Sequence, residues 1–160
     1  MPGGEATIAR PDGPSRLSVL SVPWLSQSAY DALLSASDLN LVRGEDSFVR
    51  AQWAGRPMVW QIYPQDDGAH RTKLAAWLDR YLSNADPALE EGVRRVHGAW
   101  NGFDSSGFAD DDGPFLVLDD RVLEAWTAHA AAWRRSLLQQ EDLTTQLMAF
   151  VAEKRLAPDR

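Results

Sequence analysis

The sequence predicts an α/β fold in which a parallel sheet is flanked by helices and the C-terminal portion is rich in helices. Two apolar, strand-like stretches, 39–42 and 58–63, are separated by a helical pattern over 47–54. A helix that links two strands in this way normally makes them parallel, in a right-handed βαβ unit. Beyond residue 65, apolar side chains recur at the spacing of one buried helix face, which predicts the helical portion.

The amino-acid composition argues against several classes of binding partner and catalytic site. With 160 residues the chain has the length of one domain, or of one half of a larger enzyme. Its 23 acidic and 16 basic residues give a net charge of −7, which opposes binding to nucleic acid or to an anionic membrane. The absence of cysteine excludes disulfides, thiolate metal sites and a cysteine nucleophile. No apolar run approaches the roughly 20 residues of a membrane span, so we expect a soluble, cytoplasmic protein.

The N-terminal part is expected to begin with a flexible segment. Residues 1–15 are rich in Gly and Pro and lack the hydrophobic region of a signal peptide, so we expect a poorly ordered lead-in to one domain over 16–160. The alternation of apolar and small polar residues over 17–22 predicts a short strand that ends at Pro23. A brief helix is expected over 28–35.

Capping residues and apolar stripes define the helical portion. Asp86, Asp119 and Asp142 are suited to begin helices, because an N-cap carboxylate accepts hydrogen bonds from the free N–H groups of the first turn. The stretch 101–113, with three glycines and four aspartates, is expected to be an exposed loop. The predicted stripes are Leu74, Trp77, Leu78, Tyr81 and Leu82; Leu89, Val93, Val96 and Trp100; Val122, Trp126, Ala130, Trp133 and Leu137; and Leu143, Leu147 and Phe150.

The segment 43–48, RGEDSF, follows the first strand of the βαβ unit, at the sheet edge where α/β folds bind ligands. Gly44 lets a ligand approach the backbone, and a helix that starts near Asp46 or Ser47 would offer its N–H groups to a phosphate. Glu45 and Asp46 oppose this, because a carboxylate repels an anion by roughly 1 kcal/mol at 4 Å even in water. Either Asp46 or Ser47 caps the helix, or Glu45 binds sugar hydroxyls while backbone amides hold the phosphates. An ordinary capped helix without a ligand is the alternative.

Aromatic side chains flank this segment in the sequence. Trp24 and Tyr30 lie on either side of Gln27, so two rings could sandwich a nucleobase while Gln27 reads its edge. Alternatively, both rings belong to the core. Tyr63 lies at the carboxyl end of the second strand, where its hydroxyl either reaches the same cleft or simply lies at the sheet edge.

Other catalytic chemistry is not indicated. His70, His97 and His129 lack metal-ligand spacing, and we interpret them as helix residues. The run 110–112 contains an Asp-x-Asp pattern, which some sugar-nucleotide enzymes use to hold metal, but we interpret it as a solvated acidic loop. No G-x-S-x-G motif or nucleophilic triad is present. We therefore expect neither a metal site nor a cofactor.

Two stretches carry a resemblance to a known family. PWLSQSAYDALL at 23–34 and DLNLVRGEDSFVRAQWAGRPMVWQIYPQ at 38–65 closely resemble the elongation factor P arginine rhamnosyltransferases, the EarP family, and AHRTKLAAWLDRY at 69–81 continues the similarity. The resemblance implies a Rossmann-like half of a GT-B glycosyltransferase, in which two such domains face a cleft. It also implies inverting, metal-independent transfer of L-rhamnose from dTDP-β-L-rhamnose to an arginine of elongation factor P.

The resemblance assigns roles to residues that local chemistry leaves open. Trp24 and Tyr30 would stack on the thymine, where Phe is common in the family, and Gln27 would contact the base through its backbone. The RGEDS motif would engage the deoxyribose, diphosphate and rhamnose, and Tyr63 a phosphate. The implied substrate-binding residues are Trp24, Gln27, Tyr30, Arg43, Gly44, Glu45, Asp46, Ser47 and Tyr63.

The resemblance also implies that catalysis needs more than this chain. In the family, the carboxylates that activate the acceptor guanidine and much of the docking surface for elongation factor P lie in an N-terminal domain. We nominate no catalytic base here; Glu45 and Asp46 are candidates for stabilising charge. The expected function is donor binding by a part that is inactive alone. The alternatives are a non-catalytic nucleotide- or protein-binding module, and a helical structural domain in which Trp24 and Tyr30 are buried and touch no pocket.

Overall fold

The structure is a computed structural model that describes residues 5–9, 16–103 and 119–156. Most of the predicted loop at 101–113, including its Asp-x-Asp pattern, lies outside these residues. Along the described chain, the elements are β1 Glu5–Ala9, β2 Arg16–Leu20, α1 Gln27–Ala36, β3 Asn40–Arg43, α2 Glu45–Ala54, β4 Met58–Gln61, α3 Ala69–Tyr81, α4 Pro87–Trp100, α5 Asp120–Leu138 and α6 Leu143–Leu156.

A parallel βαβ unit lies at the centre of the fold. β3 and β4 pair in parallel, with Asn40 opposite Met58 and Arg43 opposite Gln61, and α2 connects them. This confirms the βαβ unit predicted from the sequence. α2 begins two residues earlier than predicted, because Gly44 turns the chain immediately after β3. The fold is therefore mixed α/β, with a small parallel sheet and helices packed on it.

An antiparallel hairpin precedes this unit. β1 and β2 pair from Glu5 opposite Leu20 to Ala9 opposite Arg16. The segment expected to be a flexible lead-in therefore contains a strand, because pairing with β2 satisfies its backbone hydrogen bonds. Residues 1–4 and 10–15 lie outside the described part. β2 ends at Leu20 instead of continuing to residue 22 as predicted.

Helices cover the sheet and bury one continuous core. α2 packs against both strands, α4 packs against β4, and α5 packs against α2 and α4. The predicted stripes of α3, α4 and α5 are confirmed except at Leu137, which is not part of the core; Trp126 and Val93 are fully buried. Within the described residues, no helix has both the length and the apolarity needed to cross a bilayer.

The predicted helix starts are confirmed at the three aspartates. Asp86 accepts a hydrogen bond from the N–H of Ala88, Asp119 from that of Val122 and Asp142 from that of Thr145. The stripe predicted for α6 is wrong as a buried face: the side chains of Leu143, Leu147 and Phe150 are 80%, 57% and 53% exposed. The apolar residues of α6 are spread around the helix, so it has no single face to bury.

His97 of α4 and Asn101, the residue that follows α4, hydrogen-bond with the outer edge of β4. His97 Nε2 accepts from the Trp60 N–H at 3.3 Å, and His97 Nδ1 donates to the Val93 carbonyl at 2.8 Å. Asn101 accepts from the Ile62 N–H at 3.0 Å and donates to the Trp60 carbonyl at 2.9 Å. Burial lowers the pKa of His97 to about 4, which keeps the ring neutral and able to accept a hydrogen bond.

Candidate functional site

A surface cavity of about 510 Å³ lies between the segment that precedes α1, α1 itself and the first two turns of α2. Five of the nine predicted site residues line it, although they come from two separate stretches of sequence. These five are Trp24, Gln27, Tyr30, Asp46 and Ser47. The packing of α1 against α2 thus brings the predicted base-stacking residues and two residues of the predicted phosphate turn, Asp46 and Ser47, to one cavity.

The aromatic side of the cavity differs in detail from the prediction. Trp24 lies in the irregular segment before α1 and is fully exposed, whereas Tyr30 lies on α1 and packs partly against the core. Ser26 caps α1 by accepting a hydrogen bond from the Ala29 N–H at 3.3 Å, which fixes the helix turn that carries Gln27. The exposure of Trp24 in a cavity contradicts the alternative in which both rings are buried and touch no pocket.

The turn at Gly44 has a backbone conformation that favours glycine. Its φ of 77° and ψ of 179° lie in a region that is essentially restricted to this residue. The Gly44 carbonyl accepts a hydrogen bond from the Trp60 indole at 3.0 Å, and its N–H donates to Gln61 at 3.3 Å. The conformation is therefore fixed by the sheet and by a buried ring beneath it.

Tyr63 and Arg43 lie beside this turn. A Cβ placed on Gly44 would be 2.8 Å from Cε2 of Tyr63, so the tyrosine ring packs directly against the glycine. The Arg43 guanidinium carbon lies 5.1 Å from the centre of the same ring, a cation–π distance. Arg43, Gly44, Glu45 and Tyr63 form a cluster at the start of α2; they are not among the residues that line the cavity.

α2 starts with free backbone donors. Gly44 occupies the N-cap position without a side-chain cap, so the interpretation that Asp46 or Ser47 caps this helix is wrong. Glu45, Asp46 and Ser47 are instead the first three helical residues, whose N–H groups have no acceptor within the helix. These N–H groups and the helix dipole favour an anion at this point.

Arg50 is a residue of the cavity that the sequence interpretation missed. Its Nε donates to Asp46 at 3.0 Å, and its Nη1 contacts both carboxylate oxygens of Asp31, at 2.9 and 3.0 Å. The hydrogen bonds to Asp31 and Asp46 raise the pKa of Arg50. The i,i+4 spacing of Asp46 and Arg50 is a local sequence signal for the contact between these two residues. Asp31 lies 19 residues from Arg50, so no local pattern indicates the contact between Arg50 and Asp31.

The histidines have structural partners. His70 lies on α3 and accepts a hydrogen bond from the Gln65 N–H at 3.0 Å, and His129 on α5 lies 2.8 Å from the Tyr81 carbonyl. Together with His97, they are helix residues, as predicted. Across the described ranges, no three histidine or carboxylate side chains cluster as metal ligands would.

Comparison with known proteins places this fold in a family. The family described as "Elongation-Factor P (EF-P) rhamnosyltransferase EarP" matches residues 5–152. A protein-arginine rhamnosyltransferase of Pseudomonas aeruginosa is 42% identical over 137 residues, covering 86% of this chain and 35% of that protein. The enzyme of Pseudomonas putida is 38% identical, and the match covers 84% of this chain and 34% of that protein. The enzyme of Shewanella oneidensis is 34% identical, and the match covers 84% of this chain and 33% of that protein. The chain thus spans about a third of the length of the curated relatives it matches.

A solved structure agrees with the sequence comparison. It comes from work on the structural basis for EarP-mediated arginine glycosylation of translation elongation factor EF-P, and it superposes with a TM-score of 0.66 at 34% identity. The superposition covers 86% of this chain and 41% of that one. Because the family match runs over almost the whole chain and the fold agrees with it, this chain belongs to the EarP family of elongation factor P rhamnosyltransferases, of which it covers a part.

Proposed function

We propose that this chain is the donor-binding part of a protein-arginine rhamnosyltransferase. It binds dTDP-β-L-rhamnose, without metal, for inverting transfer of rhamnose to an arginine of elongation factor P. The observation that supports this most directly is the single cavity lined by Trp24, Tyr30, Asp46 and Ser47. In fold terms, the chain would be most of the C-terminal, Rossmann-like half of a GT-B enzyme.

The geometry suggests how the donor lies. The thymine stacks on Trp24 and Tyr30, and the diphosphate meets the free N–H groups of the first turn of α2. Gly44 sets the direction of that turn, with the Tyr63 ring packed against it and Arg43 beside the ring at the end of the sheet. A cavity of about 510 Å³ lies within the usual range of small-ligand sites, roughly 300–1,000 Å³.

Transfer to arginine needs groups beyond this cavity. A guanidinium has a pKa above about 12 and is a poor nucleophile, so carboxylates must activate it. Asp46 already pairs with Arg50, and Glu45 is exposed at the helix start, which suits both to stabilising charge rather than to acting as a base. We therefore assign activation of the acceptor, and most contacts with elongation factor P, to parts of the enzyme outside this chain.

Calorimetry with dTDP tests donor binding. The folded chain should bind dTDP in the presence of a metal chelator, and Trp24→Ala should weaken binding about fivefold or more, since base stacking contributes roughly 1–3 kcal/mol. Trp53→Ala is the matched control, because Trp53 is 47% exposed on α2 but lines a neighbouring cavity. A folded chain that does not bind dTDP would contradict the proposal.

A chimera tests whether the donor site supports transfer. The matching third of the Pseudomonas aeruginosa relative is replaced by this chain, and rhamnosylation of elongation factor P is followed by intact-protein mass spectrometry. Gain of one deoxyhexose on the acceptor would support the rhamnosyltransferase. A folded chimera that binds dTDP without transfer would instead identify a non-catalytic nucleotide-binding module.

A further inference from the structure

The start of α2 combines features that oppose each other for binding an anion. Three free N–H groups and the positive end of the helix dipole favour a diphosphate. The carboxylate of Asp46 lines the same cavity and is 82% exposed, so it would repel that diphosphate. A phosphate site at this turn therefore requires something to offset the charge of Asp46.

Arg50 is placed to do this. It lies one helical turn after Asp46 and lines the same cavity, and its side chain is only 23% exposed. Its Nε hydrogen bond to Asp46 holds the carboxylate along the side of α2. Its two-atom contact with Asp31 fixes the guanidinium from α1, the helix that carries Tyr30. The guanidinium therefore cannot turn away from Asp46 without disturbing the ion pair in which its Nη1 contacts both oxygens of Asp31.

We infer that Arg50 is a positioning residue of the donor site: it holds the Asp46 carboxylate aside and offsets its charge, so that the first-turn amides of α2 can bind the diphosphate. This inference rests on the proposed function, because it concerns the same site. Arg50 acts through Asp46 and does not itself bind the nucleotide base. Loss of Arg50 therefore affects the phosphates and leaves stacking unchanged.

Comparing dTDP with thymidine separates this role from a purely structural one. Arg50→Met keeps the aliphatic stem but changes the formal charge of the Asp31, Asp46 and Arg50 trio from −1 to −2. We expect the Kd of dTDP to rise about fivefold or more, and the Kd of thymidine to stay within twofold of wild type. Binding is measured by NMR titration that follows the tryptophan indole N–H signals.

A charge rescue and a matched control complete the test. In Arg50→Met/Asp46→Asn, dTDP affinity should return to within twofold of wild type. Arg94→Met is the matched control, because Arg94 on α4 also pairs with two carboxylates, Asp79 and, at i,i+4, Glu90. This variant should change neither the Kd of dTDP nor that of thymidine. If Arg50→Met unfolds, as judged by circular dichroism, Arg50→Gln replaces it.

Three results would overturn the inference: an unchanged dTDP affinity in the variant, equal weakening of dTDP and thymidine, or no rescue by Asp46→Asn. Equal weakening would mean that Arg50 only sets the spacing of α1 and α2. Failure of the proposed function is recognised separately, because wild type itself would then not bind dTDP.

Discussion

Substituting Gly44 by alanine should destabilise the fold for two separable reasons. The first is backbone strain, because the φ of 77° and ψ of 179° place a non-glycine residue in a region that costs about 1–3 kcal/mol. The second is steric, because the new Cβ would lie 2.8 Å from Cε2 of Tyr63. Moving that ring also weakens its cation–π contact with Arg43, worth about 0.5–1 kcal/mol at an exposed site. Together these terms predict a loss of about 2–4 kcal/mol in the free energy of unfolding.

Gly68→Ala is the matched control for Gly44→Ala. Gly68 also has a positive φ, 74°, but a Cβ there would meet no atom within 4 Å. Only the left-handed backbone cost of about 1–2 kcal/mol should appear. Both variants are measured by urea unfolding followed by far-UV circular dichroism, and Gly44→Ala should be the less stable by about 1–2 kcal/mol.

Tyr63→Ala isolates the steric part of the effect. Gly44→Ala introduced into the Tyr63→Ala background should cost about 1 kcal/mol less than in wild type, because the clash is gone while the strain remains. Equal costs at Gly44 and Gly68, or no coupling between Gly44 and Tyr63, would refute the explanation given for this turn.

Three further outcomes follow from the packing and caps. The pKa of His97 is about 4 in the folded state and 6.5 in the unfolded state, so the contribution of His97 to stability is present above pH 6.5 and is lost as the pH falls towards 4. Urea unfolding should therefore show that the free energy of unfolding falls by roughly 2 kcal/mol between pH 7 and pH 5. The variant His97→Gln should lack this fall. Tyr81→Phe leaves the buried Trp126 indole N–H without its acceptor at 3.0 Å and should cost about 1–3 kcal/mol, whereas an unchanged urea midpoint would show that another acceptor replaces the hydroxyl. Asp119→Ala removes the N-cap of α5 and should cost about 1 kcal/mol in the same assay, more than Asp120→Ala, which leaves the cap in place.

Local patterns were sufficient to predict the βαβ unit and most helices. Apolar runs identify β3 and β4, and the aspartate caps identify three helix starts, because each signal lies within a few residues of its effect. The predicted start of α2 is two residues late because that prediction also used only neighbouring residues. Asp and Ser are favoured N-caps, but the turn is set at Gly44 by the indole of Trp60, 16 residues away.

The features that were missed depend on distant partners. Arg50 reaches Asp31 across 19 residues, and His97 reaches Trp60 across 37. Neither pair has a recognisable spacing, since the packing of two elements determines which side chains meet. The site was predicted from two separate stretches of sequence, and the roles of its residues were implied by family resemblance, since an exposed tryptophan and a glycine turn do not by themselves identify a ligand.

His97 and Asn101 affect the edge at which a further strand could be added to the parallel sheet. They use the outward-facing N–H and carbonyl of Trp60 and the N–H of Ile62, so these three groups are not free to pair with a further strand. β3, among the described residues, is paired only with β4. In a longer protein, a further strand would therefore pair more readily alongside Asn40–Arg43, the strand that leads directly into the Gly44 turn. A strand added there would become a neighbour of the candidate donor site, whereas the hydrogen bonds of His97 and Asn101 oppose edge-to-edge aggregation through β4.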